Sequence, residues 1–177
     1  MRKIHAGVTL LELMVVLVIA GIAFSAAVPS FQGMVARNRQ ATKSNEMLLA
    51  INLARSEAIR IGGGAYVVAN DGSDANNEFG PGWCVVLRDP DCDPDTTSGE
   101  IVRVFEPLVE GDTFDSVENV TSVEFDGLGA LTNTSDATRA FDLCSDSFEG
   151  RRIWINLIGR SKSHTPDDLD SSRQPDC

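Results

Sequence analysis

The sequence predicts an α+β protein in which one long N-terminal α-helix packs against an antiparallel β-sheet head. Three observations carry that expectation. Residues 6–29, "AGVTLLELMVVLVIAGIAFSAAVP", form an apolar run of membrane length. A helical period continues from there to three consecutive glycines, Gly62, Gly63 and Gly64. Beyond the glycines, short stretches rich in β-branched and aromatic residues alternate in the strand manner and are separated by Gly, Pro, Asn and Asp.

The apolar run comes first. Residues 8–28 include only Thr9, Glu12 and Ser25 as polar side chains. At 1.5 Å per residue such a helix spans roughly 30 Å, the thickness of a bilayer's hydrocarbon core. Arg2 and Lys3 precede it and no comparable basic cluster follows closely, which puts the N-terminus in the cytoplasm and the rest of the chain beyond the membrane. A cleavable secretory signal is the simpler alternative, and "SAAVP" at 25–29 offers small residues of the kind a signal peptidase uses. Against it, the run exceeds the usual length of about 7–15 apolar residues. It also carries a carboxylate. An acidic group in a membrane costs about 2.5–3.5 kcal/mol, so Glu12 calls for a cationic partner.

After Pro29 the pattern becomes amphipathic. Met34, Ala41, Leu48, Ile51, Ala54, Ala58 and Ile61 recur at helical spacing, with Arg37, Asn38, Arg39, Lys43 and Asn45 between them. The glycines then end the helix. Helix from 10 to 61 is about 78 Å long at 1.5 Å per residue, and Pro29 removes one backbone bond where a bend is expected. Strands are expected in "AYVVAN" (65–70), "GWCVVLRD" (82–89), "EIVRVFEPL" (100–108), "VTSVEFDGLGAL" (120–131), "RAFDLCSD" (139–146) and "RRIWINLIGRS" (151–161). The stretch 71–81 reads as a polar loop, and 165–177 as an acidic tail that needs a tether to be ordered.

Composition bounds the function. The 177 residues carry 15 Lys and Arg against 26 Asp and Glu, a formal charge of −11. Setting aside Arg2, Lys3 and Glu12 leaves −12 on the remainder, which opposes non-specific binding to nucleic acid. Cys84, Cys92, Cys144 and Cys177 all follow the apolar run and show no metal-binding spacing, so two disulfides in an oxidising compartment are expected.

Gly7 followed by Val8, Thr9, Leu10, Leu11 and Glu12 and then a long apolar helix resembles the prepilin peptidase site of type IV pilins and type II secretion pseudopilins. The resemblance implies removal of a leader, residues 1–7, and methylation of the new terminus at Val8, where the family most often has Phe. It implies that Glu12 pairs with an N-terminal amine inside a filament, and that Pro29 is the family's helix-kinking proline. Further along, "LLAINLARSEAIRIG", "GPGWCVVLRD", "EIVRVF", "SVEFDGLGAL" and "INLIGRSKSH" are similar in order and spacing to H-type pseudopilins and to FimT/FimU minor pilins. The layout implied is a leader (1–7), a transmembrane assembly helix (8–28), an amphipathic helix (29–64), a periplasmic β-rich head (65–164) and a tail (165–177) held by Cys177. Four cysteines allow three pairings. The sequential one, Cys84 with Cys92 and Cys144 with Cys177, is preferred because the first pair brackets a short loop and the second would pin the tail, as pilins often do.

Two binding sites are weighed beside this. In "DPDCDPDTTSGE", Asp89, Asp91, Asp93, Asp95 and Glu100 match acidic positions of an EF-hand calcium loop, although Pro94 stands where that loop needs Gly; a solvated acidic hairpin is the alternative. "GRSK", with Arg160 and Lys162, joins Arg151 and Arg152 in a small basic patch. It resembles the Gly-Arg-x-Arg element with which some FimT members hold DNA, Lys162 replacing the second Arg and giving a point charge without the fork. The acidic surroundings make internal ion pairs the competing expectation. No cofactor is expected apart from this calcium alternative. No pattern of Ser/His/Asp, metalloprotease or phosphate-loop type occurs, so the chain is expected not to be an enzyme. The resemblance implies a minor subunit of a type II secretion pseudopilus or a type IV pilus, in its initiating or tip complex. The expected location is the bacterial inner membrane, crossed once. The expected partners are other pilins, the prepilin peptidase/methylase and the inner-membrane assembly platform.

Overall fold

A 52-residue helix, α1 (Leu10–Ile61), opens the chain and runs without interruption through position 29. The computed structural model describes residues 9–132, 138–145, 148–168, 174, 175 and 177. Two units make up the chain, residues 1–38 and 39–177. In the first unit, α1 begins at a cap that the apolar pattern conceals. The Thr9 hydroxyl accepts the Glu12 backbone N–H at 3.2 Å, and the Thr9 carbonyl accepts the Leu13 N–H at 3.2 Å. Thr-x-x-Glu is the capping-box sequence, and its signal is legible in residues 9–12.

The second unit holds the rest of α1 and eight strands in two four-stranded antiparallel sheets. The first sheet contains β1 (Gly63–Ala69), β2 (Trp83–Leu87), β3 (Glu100–Phe105) and β5 (Ser122–Asp126), in the order β3-β2-β1-β5. The second contains β4 (Asp112–Ser116), β6 (Thr138–Ser145), β7 (Phe148–Asn156) and β8 (Ser161–His164), in the order β4-β6-β7-β8. A 3-10 turn, Pro166–Asp168, follows. One sheet was the expectation; the structure divides the strands into two, with β4 and β8 added to the six expected stretches. Gly62 ends α1 at φ 88°, in the left-handed region that suits glycine, and its N–H returns to the Ala58 carbonyl at 2.9 Å.

Alpha-helical period explains which face of α1 meets the strands. Met47, Ala50, Ile51, Ala54 and Ala58 are all fully buried in the core shared with the strands. Rings from both sheets complete the interior: Trp83 stacks on Phe105 at 5.5 Å and meets Phe114 edge-on at 5.5 Å, while Phe79 meets Phe141 edge-on at 5.2 Å. Polar ties fix the helix in place. Arg39 grips the buried Asp112 of β4 through two bonds of 2.9 and 3.1 Å, and Ser44 shares a 2.6 Å hydroxyl bond with Ser163 of β8.

Both disulfides have the sequential pairing. Cys84–Cys92 folds the following loop over the outer face of the first sheet, where Val68, Val86, Tyr66 and Ile101 pack around it. Cys144–Cys177 closes 33 residues of sequence separation and is worth about 3–4 kcal/mol on the chain-entropy model. Gly150 leaves the room this requires, since a Cβ there would stand 2.3 Å from the Cys177 sulfur.

Candidate functional site

The apolar half of α1 is the first candidate. Leu10, Leu11, Leu13, Met14, Val15, Val16, Leu17, Val18 and Ile19 are consecutive but for Glu12, and all are exposed, Leu10 at 79%. No single stripe is apolar; every side of the helix is. A helix of that kind needs lipid or other helices around it. Glu12 lies exposed in its first turn, where a carboxylate also complements the helix dipole. No cation pairs with it among the described residues. Gly7 and Val8, expected at the processed bond, lie outside the described residues. Among those described, no helix is long and apolar enough to cross a membrane. The uninterrupted run of described side chains, 10–25, is 16 residues, short of the roughly 20 needed, and the expected 8–28 span extends past it on both sides.

The acidic loop is the second candidate, and several of its carboxylates bond within the loop itself. Asp89 accepts the Ser98 N–H and hydroxyl at 2.8 and 2.6 Å, which hold its carboxyl below the usual range. Asp91 accepts the Asp93 N–H at 2.9 Å and the Thr96 hydroxyl at 2.6 Å, and Asp93 accepts the Asp95 N–H at 2.9 Å. Asp89, Asp91 and Asp93 thus bond to the loop's own backbone and hydroxyls, with Asx turns at Asp91 and Asp93. Glu100 stands apart, exposed at the start of β3. Among the described residues no group of three or more His, Cys, Asp or Glu is placed to hold a metal ion.

The basic patch is the third, and its four residues part company. Arg152 is buried on β7 and gripped by Asp142, one of the two bonds measuring 2.6 Å. Arg151 is half-buried; the Thr165 hydroxyl and N–H, then His164 and Arg151, hold the Asp168 carboxyl below the usual range. Arg160 and Lys162 are exposed. They line an open groove of roughly 740 Å³ with Arg55 of α1, Trp154 and His164, and no carboxylate lines it. The turn between β7 and β8 places Arg160. Asn156 accepts the Gly159 N–H at 2.8 Å through its carbonyl and the Arg160 N–H at 2.8 Å through its side chain. Gly159, at φ 74°, is needed there because a Cβ would stand 2.2 Å from the Gly129 carbonyl oxygen. That same carbonyl accepts the Arg55 Nε–H at 3.0 Å, so one oxygen seats both the helix arginine and the turn. Arg55 and Trp154 were missed by sequence reasoning; neither lies near "GRSK" in the chain, and only the packing of the turn against α1 joins them.

Comparison with known proteins agrees with the architecture. Residues 43–159 match the family described as type II transport protein GspH, and residues 2–28 match the prokaryotic N-terminal methylation motif. No curated protein sequence matches this chain. Among solved structures, the type IV minor pilin FimU of Pseudomonas aeruginosa strain PAO1 is similar in fold in two crystal forms. In space group P65 the identity is 20% and the TM-score 0.55, covering 77% of this chain and 97% of that one. In space group P21 the identity is 20% and the TM-score 0.58, covering 81% and 97%. With the family match spanning most of the head and the methylation motif spanning the apolar helix, the chain belongs to the GspH family of pilin-like type II transport proteins.

Proposed function

We propose that this chain is a minor structural subunit of a type II secretion pseudopilus or a type IV pilus, anchored in the inner membrane with its head in the periplasm. The observation that carries the reading is the first half of α1, apolar and exposed on every side around a lone carboxylate. Such a surface is stable in lipid before assembly and among neighbouring helices after it. Cleavage after Gly7 frees an amine at Val8, and an amine of a neighbouring chain is the cation that Glu12 requires. The prepilin peptidase/methylase and the membrane assembly platform are then obligatory partners, and its place is in the initiating or tip complex. The role is structural, as it is for the family of pilin subunits to which the chain belongs.

Mass spectrometry of the mature protein from its bacterial membrane tests the reading. A chain beginning at N-methylated Val8 is the expected result. A chain beginning near residue 28 would instead identify an ordinary secreted domain.

A further inference from the structure

We propose that the groove between α1 and the β7–β8 hairpin binds an extended acidic segment, rich in Asp or Glu, of a partner polypeptide. Three cationic side chains, Arg55 from α1 and Arg160 and Lys162 from the β7–β8 hairpin, meet around it with His164 beside them, on a chain whose net charge is −11. Elsewhere in the head several cations are spent internally: Arg39 on Asp112, Lys43 on Glu46, Arg60 on Glu57, Arg139 on Glu118 and Arg152 on Asp142. The Arg160 and Lys162 side chains make no bond among the described residues and face solvent. A groove lined by Arg55, Arg160 and Lys162 with no carboxylate in its lining is complementary to carboxylates and not to the rest of an acidic surface.

The shape suits an extended chain. β8 ends its sheet, so one side of its backbone has no strand beside it among the described residues. In register, Lys162 stands opposite Trp154 and His164 opposite Arg152, which puts Lys162, His164 and the half-exposed indole on one face of the hairpin. Exposed Leu157 and Ile158 in the adjoining turn offer apolar contact beside the charges. A peptide fits this better than a nucleic acid does. Charges are screened beyond about 8 Å, so a short acidic segment feels the groove alone, whereas a long polyanion runs on over an acidic surface.

The chain carries two tryptophans, and Trp83 is fully buried, so a fluorescence change at the groove reports on Trp154. The full chain in detergent is titrated with hexaglutamate, with inorganic phosphate and with a single-stranded oligonucleotide of equal charge. Hexaglutamate is expected to give a saturable change that weakens by about tenfold in the double variant Arg160→Ala, Lys162→Ala and as salt rises from about 50 to about 300 mM. Should that variant lose its thermal unfolding transition, Arg160→Gln with Lys162→Gln replaces it, and Trp154→Phe must abolish the signal. No saturation, equal binding by the double variant, or equal or tighter binding of phosphate or the oligonucleotide would overturn the proposal.

Discussion

Asp115 shows how one buried atom sets a pH dependence. It lies on β4 with its Oδ1 buried and without a hydrogen-bond partner, beside Glu78 and near Asp142. Burial, then Glu78, then Asp142 push its carboxyl up to about 7. Glu78 itself is fully buried and accepts the Ser116 N–H at 3.0 Å, so it is held in place next to this group. A folded value above the unfolded one means that the contribution to stability is whole at low pH. It declines as pH rises from about 4 through about 7 and is gone above that. In Asp115→Asn the decline should flatten. At pH 8 the variant should unfold about 2–4 °C higher, for a solvent-screened effect of about 1 kcal/mol. Thermal unfolding followed by circular dichroism across this pH range checks it, and a variant that melts no higher than the parent at pH 8 would contradict the assignment.

At the level of elements, the helix face built from Ala50, Ala54 and Ala58 is fully buried in the core. Ala54→Leu should force the sheets away from α1, costing about 2 kcal/mol and lowering the unfolding midpoint by about 5 °C, measurable by calorimetry. The end of α1 was plain in the sequence because three glycines leave no other reading, and six strands announced themselves through Val, Ile, Phe and Trp. β4 did not. "DTFDS" holds two aspartates in five residues, and Asp112 is buried only because Arg39, far off in sequence, reaches it. β8, "SKSH", is short and polar because it sits at a sheet edge, and the expected stretch 151–161 reaches only its first residue. The division into two sheets depends on which strands find each other, and alternation along a single strand carries no record of that.

At the scale of the whole molecule, Glu12→Gln separates two duties of one residue. Glutamine still completes a Thr-x-x-Gln capping box with Thr9, so the helix start survives while the charge is lost. Incorporation into the filament should fall by roughly tenfold, the equivalent of an intramembrane contact worth about 1–2 kcal/mol, with helix content by circular dichroism unchanged. The candidate sites were legible to different degrees for a common reason. Acidic spacing and basic clustering can be counted along the chain, but whether the charges are free or already paired depends on neighbours from other elements. Thus Asp89 and Asp91 turned inward to their own loop, and Arg152 to Asp142, while Arg160 was left open and joined by Arg55. Phe79, Trp83, Phe105, Phe114 and Phe141, spread over 63 residues of sequence from 79 to 141, meet in one cluster. An interior drawn together from so far apart condenses in a single slow step, with no half-head standing by itself. A protease cut anywhere among those rings should therefore strip the entire head of its order and leave fragments that clump.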